Sequence, residues 1–134
     1  MPKPKYPHMR IWEETIMDRF LQTVTFEATY DYDVHVRIDD KTPNTLHTDT
    51  ERQLWRQMTA FRIDAVIQTP ANIYVAEVKD RLRPSAIGQA LTYSHLYQKI
   101  HKPTKPVIPA IITAMDDPDT HNVCDRYGIK VWVV

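Results

Sequence analysis

Residues 61–97 read FRIDAVIQTPANIYVAEVKDRLRPSAIGQALTYSHLY, and this stretch decides the fold. It contains two runs, FRIDAVIQ and NIYVAEVK, that are rich in β-branched and aromatic residues, as strands are. Between them the proline and asparagine of TPAN are typical of a turn. A loop over 69–72 has an ordinary length for a hairpin. The sequence therefore predicts two antiparallel strands joined by a tight connection.

This hairpin brings two acidic residues together. With a four-residue loop Gln68 pairs with Ile73, and counting back along the ladder places Asp64 opposite Glu77. Opposed side chains share a face and lie about 5 Å apart at Cβ. Lys79 shares that face with Glu77, because side chains alternate along a strand. Two neighbouring carboxylates repel each other unless a cation lies between them, and oxygen ligands suit Mg²⁺ or Mn²⁺.

The chemistry of such a site would be phosphodiester hydrolysis. A divalent ion polarises the phosphodiester and helps to create hydroxide from water. Lys79 is placed to orient or deprotonate that water, or to stabilise the charge that develops on phosphorus oxygens. A plainer interpretation remains open, in which Lys79 balances the two carboxylates in a cross-strand ion pair. The acid-x-lysine triplet alone carries little weight, since Asp39-Asp40-Lys41 contains it in a stretch that reads as a loop.

A helix is predicted to follow the hairpin. Pro84 and Ser85 are typical first residues of a helix. Its predicted inward stripe consists of Ala86, Ala90, Tyr93, Tyr97 and Ile100. Gln89 lies beside that stripe, one turn before Tyr93. These two side chains either orient the lysine, water or phosphate, or are a core tyrosine and a boundary glutamine.

These residues resemble a known family. Asp64, twelve intervening residues and then Glu77-x-Lys79 are similar to the PD-(D/E)xK nuclease superfamily, although Ile63 stands where that motif has proline. Gln89-x-x-x-Tyr93 resembles the motif of its RecB-like and Holliday-junction-resolvase-like branch. The resemblance implies a restriction-endonuclease-like α-β-β-β-α-β core and hydrolysis that depends on Mg²⁺ or Mn²⁺. It implies Asp64 and Glu77 as metal ligands and as catalytic residues.

The first helix supplies a candidate third ligand. A helical stripe of apolar residues predicts a helix over 9–24, with Glu13 near the centre of the stripe and Glu14 at its edge. A carboxylate on a buried face needs a reason, and family members often place a glutamate there, facing the metal. We therefore predict Glu13 as a metal ligand. The alternatives are Glu14, Glu51 on a short helix predicted over 50–58, and a helix-start carboxylate favoured by the macrodipole.

The other segments complete an α/β pattern. Residues 25–38 alternate as a long strand, with Phe26, Ala28, Tyr30, Tyr32, Val34, Val36 and Ile38 on one side. An apolar strand is predicted over 107–115, followed by a turn and helix start over 116–119. Residues 121–127 are predicted to be helical, with the helix ending at Gly128, and a last strand is predicted over 129–134. Strand, helix and strand in this order predict a parallel pair. The expected fold is a mixed central sheet flanked by helices.

Composition narrows the class of protein. A chain of 134 residues is expected to form one domain over 9–134, preceded by a loose basic arm over 1–8. One cysteine, Cys124, excludes an internal disulfide and a cysteine-based metal site. The sequence has no run of 18 apolar residues and no signal-peptide pattern, so we expect an intracellular, cytoplasmic protein with no membrane partner.

Charge bears on the partner. The net charge is formally zero, so any surface for nucleic acid must be local. Arg81, Arg83, Lys102 and Lys105 are the predicted contacts to a phosphate backbone. Together with the resemblance, these residues imply a Mg²⁺- or Mn²⁺-dependent deoxyribonuclease that acts as a homodimer. The alternative is a non-catalytic nucleic-acid-binding or assembly protein that keeps the same fold.

Overall fold

The computed structural model describes Tyr6 and residues 9–37, 43–59 and 61–134, with the side chains of 57–59 left out. The elements, in chain order, are α1 (Ile11–Thr23), β1 (Thr29–Val36), α2 (Asp49–Thr59), β2 (Phe61–Gln68), β3 (Ile73–Arg81), α3 (Pro84–His101), β4 (Val107–Met115), α4 (Pro118–Arg126) and β5 (Lys130–Val133). None of these helices is long and apolar enough to cross a membrane.

The five strands form one mixed sheet in the order β1-β2-β3-β4-β5. Strands β1, β2 and β3 pair antiparallel, whereas β3, β4 and β5 run parallel. Gln68 pairs with Ile73, as the loop length predicts. The parallel pairing of β4 with β5 is also confirmed, and Gly128 between α4 and β5 has a positive φ of 69°. The predicted α/β fold with a mixed, helix-flanked sheet is confirmed.

Helices cover both faces of the sheet. Helix α1 buries Ile16, Met17 and Phe20 against one face, where Ala65, Ile67, Ala76, Val78, Ala110 and Ile112 project. Helices α3 and α4 cover the other face, with Ala86, Ala90 and Cys124 packed against Ile111. Burying apolar side chains in both layers is the main stabilising contribution, at about 25 cal/mol per Å² of apolar area. The strands that carry the predicted site are therefore held from both sides.

The alternation of β1 is interrupted at Asp33, which corrects the prediction of one regular strand. Tyr30 and Tyr32 pack toward α1, whereas Val34 and Val36 pack with the residues of α3. Asp33 has a left-handed φ of 55°, and the ladder has no pair at that position. One such residue reverses the direction in which the following side chains point, because regular alternation requires extended backbone. Counting by twos from Thr25 could not reveal this.

Two smaller expectations also differ from the structure. Tyr6 does not belong to a loose arm, since it is 2% exposed and donates a hydrogen bond to Asp18 Oδ1 at 2.8 Å. The other residues of the predicted arm lie outside the described residues. Ile100 is 40% exposed and so does not continue the inward stripe of α3. Helix α4 begins at Pro118, inside the predicted turn and helix start over 116–119, and Asp117 accepts a capping hydrogen bond from the Thr120 amide.

Candidate active site

The site begins where the β2–β3 ladder ends. Backbone pairing stops at Ala65 and Ala76, one residue short of the predicted Asp64–Glu77 pair. Beyond that point the Val78 amide donates to Asp64 Oδ2 at 2.8 Å, so a side chain replaces the missing ladder bond. Asp64 is thereby held between the two strands. The constant register and the helices on both faces fix this position.

Glu77 is the most deeply buried member of the site. It is 3% exposed, and among the described residues its Oε1 atom has no hydrogen-bond partner. Burial, followed by repulsion from Asp64 and a hydrogen bond between the two carboxyl groups, raises the pKa of Glu77 well above its ordinary value. Burial also raises the pKa of Asp64, against the lowering effect of its hydrogen bonds. Without a cation to balance them, the two carboxyl groups therefore hold a proton more readily than isolated carboxyl groups do.

Helix α3 contributes Gln89 and Tyr93, and Tyr93 interacts electrostatically with Glu77 and Asp64. The Gln89 side chain is hydrogen-bonded to the Tyr93 hydroxyl. Burial raises the pKa of Tyr93, and the charges of Glu77 and Asp64 raise it further, so the phenol remains protonated beside the carboxylates. Gln89 Oε1 is buried and has no hydrogen-bond partner, like Glu77 Oε1. Phe61 lies against the Tyr93 ring at a centroid distance of 5.6 Å.

Helix α1 places Glu13 at the same end of the hairpin. Burial raises the pKa of Glu13, and the neighbouring Asp64 charge raises it further, while Lys79 lowers it. Lys79 interacts electrostatically with Glu13, Asp64 and Glu77. In the described part of the chain, however, its ammonium forms no ion pair within 4.0 Å. Lys79 is therefore near three carboxylates without being fixed to any one of them.

The donor set suits a hard divalent cation. Two buried oxygens, Glu77 Oε1 and Gln89 Oε1, lack partners, and leaving such an atom unsatisfied costs about 1–3 kcal/mol. Mg²⁺ and Mn²⁺ are bound by oxygen atoms, and Mg²⁺ commonly needs only one or two carboxylates in addition to water. Among the described residues no three His, Cys, Asp or Glu side chains form a metal-binding group. The predicted set of Asp64, Glu77 and Glu13 is thus not assembled as three ligands, and the Asp64–Glu77 pair is its core.

Asp33 is a residue at this site that sequence reasoning missed. It lies at the unpaired position of β1 opposite Asp64, and its charge raises the pKa of Asp64. Its own carboxylate is 3.5 Å from His35 Nε2. The signal in the sequence was weak: an aspartate, which tolerates the left-handed region better than most residues, inside a run of strand formers. His35 itself is exposed.

The remaining candidates lie away from the carboxylate pair. Glu51 is exposed and accepts from the His47 amide at 3.3 Å, while Thr48 caps the Glu51 amide, so Glu51 serves the start of α2. Glu14 is half-buried one position further around α1 from Glu13. The cap of α2 supplies a complete structural reason for Glu51.

The predicted nucleic-acid contacts are split between the two ends of the sheet. Arg81 and Arg83 are exposed beyond Lys79, and Arg83 is 3.5 Å from Asp80. Lys105 is at the opposite end, where its ammonium donates to the Thr69 carbonyl at 2.9 Å. Lys102 is exposed at the end of α3. The structure therefore does not bring Lys102 and Lys105 to the acidic site.

Comparison with known proteins adds little to this geometry. No family model matches the chain, and no curated protein matches it. Among solved structures, a crystal structure described as a protein of unknown function, AF1548, is similar with a TM-score of 0.47 and 19% identity. The match covers 91% of this chain and 57% of that chain. At this level of similarity it carries no argument about function.

Proposed function

We propose that this chain is a Mg²⁺- or Mn²⁺-dependent nuclease that hydrolyses phosphodiester bonds in DNA. The observation that carries the proposal is Glu77, a buried carboxylate with an unpartnered oxygen, next to Asp64 and within electrostatic range of Lys79. A structural core has no use for this arrangement, because burying charged groups in mutual repulsion destabilises the fold. Perturbed carboxylates of this kind cluster at functional sites.

The residues divide the work as follows. A bound divalent ion would supply charge stabilisation at the phosphodiester and a lowered pKa for an attacking water. Asp64 and Glu77 would hold that ion. Any proton held between the two carboxyl groups must be released before the ion binds. Glu13 interacts electrostatically with Asp64 from helix α1 and would hold a water molecule of the site by accepting its hydrogen bond. Gln89 and Tyr93, on helix α3, would limit the movement of Glu77.

The proposed role of Lys79 is to orient or deprotonate the attacking water, or to stabilise the charge that develops on the phosphate. Its ammonium lies near three carboxylates but is not fixed to any of them. A lysine free to move by a small distance can orient a water or stabilise an oxyanion, whereas a lysine in a tight ion pair is less available. This supports the catalytic interpretation over the plain cross-strand ion pair.

DNA is the proposed substrate, and a homodimer is the proposed state, because two subunits can cut two strands. The substrate is tested with labelled linear duplex, single strand and four-way junction, each incubated with Mg²⁺, with Mn²⁺ and with EDTA. Cleavage that requires the metal and is lost in Asp64→Asn supports the proposal. Asp125→Asn, on the exposed side of α4, is the matched control and should cleave like the wild type.

Two other results decide against parts of the proposal. Tight binding of DNA without cleavage under any metal would favour the non-catalytic alternative. Cleavage of RNA alone would correct the substrate. The oligomeric state is measured separately by sedimentation equilibrium, in which a monomer at all concentrations would contradict the dimer.

A further inference from the structure

Charge is unevenly distributed along this chain. The segment 81–115, which contains α3 and β4, holds five of the 17 Lys and Arg residues and none of the 17 Asp and Glu residues. The rest of the chain therefore has 12 Lys and Arg residues against 17 Asp and Glu residues. A formal net charge of zero thus hides a basic segment on an acidic protein. Local basic surfaces, more than net charge, attract polyanions.

Part of this charge lies on one face of α3. His95, Gln98, Lys99 and Lys102 are spaced by three or four residues, so they form a single stripe at the end of the helix. All four are exposed, and they line a surface cavity of about 360 Å³. We call these four residues the α3 outer patch. It faces away from Gln89 and Tyr93, which belong to the proposed active site.

The same helix has cationic residues at its other end. Arg81 and Arg83 are exposed just before α3 begins. From Arg83 to Lys99 the helix rises about 24 Å, which equals about seven base-pair steps of duplex DNA. Between the two ends of α3, Gly88 is exposed and carries no side chain. A Cβ added there would meet no atom within 4 Å. At Gly88, near the middle of this surface, no side chain separates a polyanion from the helix.

We propose that the α3 outer patch binds phosphate groups of a nucleic-acid backbone, outside the catalytic site. The identity of the ligand rests on the proposed nuclease function. Lysine is a flexible point charge, so these contacts hold the backbone without reading bases. The patch therefore positions a substrate of any sequence, and its contribution to binding weakens as salt rises.

The test measures binding in EDTA, where no cleavage occurs. The dissociation constant of a fluorescein-labelled 20-base-pair duplex is measured by anisotropy over a range of KCl concentrations. For Lys99→Gln/Lys102→Gln we expect the dissociation constant to be about tenfold higher at low salt. The dependence of the logarithm of the affinity on the logarithm of the salt concentration should become shallower by the amount expected for about two phosphate contacts. The matched control, Arg19→Gln/Arg126→Gln, removes two exposed cations on α1 and α4 and should bind like the wild type. Equal melting temperatures establish that both variants are folded.

Two outcomes would overturn the proposal. One is an equal loss of binding in the patch and control variants, which would mean that only overall charge matters. The other is patch-dependent binding to vesicles of phosphatidylserine without binding to duplex. This failure is separable from failure of the nuclease proposal: metal-dependent cleavage with no effect of the patch refutes only the patch. Patch-dependent binding without cleavage refutes only the nuclease.

Discussion

The two ends of the β2–β3 hairpin differ in how completely their polar groups are satisfied. At the turn, the Thr69 amide donates to the Asn72 carbonyl, the Asn72 amide donates to Thr69 Oγ1, and Lys105 donates to the Thr69 carbonyl. At the other end the ladder stops, and Glu77 Oε1 is buried without a partner. The first end stabilises the fold. The second carries a cost that a functional role would explain.

The largest expected effect concerns Lys79, at the unsatisfied end. We expect Lys79→Ala to lower the turnover of DNA on the order of 100-fold, because a group that handles a proton in the transition state is lost. Binding of the uncleaved substrate should change by only a few-fold. Single-turnover kinetics and anisotropy measure the two quantities separately.

The matched change at the turn is Thr69→Ala. It should lower the free energy of unfolding by about 1–2 kcal/mol, because the Thr69 hydroxyl loses its two hydrogen bonds with Asn72, and should leave turnover unchanged. If Lys79→Ala lowers binding and turnover together, Lys79 is a phosphate contact. The difference between the two ends of the hairpin would then not separate a catalytic role from a stabilising role.

The next effect concerns the conformation of Asp33. Because its φ is 55°, a β-branched residue there should be strained, so Asp33→Val should destabilise the protein by about 1–2 kcal/mol. Asp33→Gly adopts the left-handed region freely and should be less destabilised than Asp33→Val. Urea denaturation of both variants measures the difference. Equal destabilisation would show that the Asp33 side chain, and not its backbone conformation, maintains the interruption of β1 beside Asp64.

A comparable effect distinguishes two neighbouring glutamates on α1. Glu13 interacts with Asp64 and Lys79, so Glu13→Gln should lower turnover about tenfold by removing a negative charge at the site. Glu14→Gln should have little effect on turnover or on the melting temperature. The reverse pattern would assign the role to Glu14 and would place the site further around the helix.

The smallest effect is the pH dependence of stability without metal. The pKa of Glu77 is raised above its ordinary value of 4.5 in the folded state, so the folded protein binds more protons than the unfolded chain above that pH. Stability should therefore fall as pH rises from 4.5 toward the raised pKa. Glu77→Gln should not show this loss. Its stability relative to the wild type should therefore increase as pH increases. Parallel pH profiles in EDTA would show that Glu77 is not under this strain.

The sequence predicted the regular parts of the fold well. The bounds of β2 and β4 agree with the predicted runs, because continuous strand formers between turn residues leave little choice. The register of the hairpin followed from the loop length alone. Asp64, Glu77 and Lys79 could be brought together on that basis, before any helix was positioned.

The irregular parts could not be predicted by counting. Asp33 reverses the alternation of β1, and its left-handed φ depends on packing of both faces, which no local pattern contains. Tyr6 is buried in the α1 layer although its neighbours in sequence are proline and lysine. The unpartnered Gln89 oxygen is a three-dimensional fact as well, since it depends on how α3 lies over Glu77. Sequence therefore located the acids, and tertiary packing determined their surroundings.

The most direct test of the account is calorimetric titration of the protein with Mn²⁺ at pH 7, in two buffers with different ionisation enthalpies. If Asp64 and Glu77 share a proton that a cation displaces, binding will release protons, and the observed heat will differ between the buffers. Glu77→Gln should weaken binding at least about tenfold, whereas Glu14→Gln should bind like the wild type. Binding of equal affinity in Glu77→Gln, or no Mn²⁺ binding by the wild type, would contradict the assignment of this carboxylate pair as a metal site.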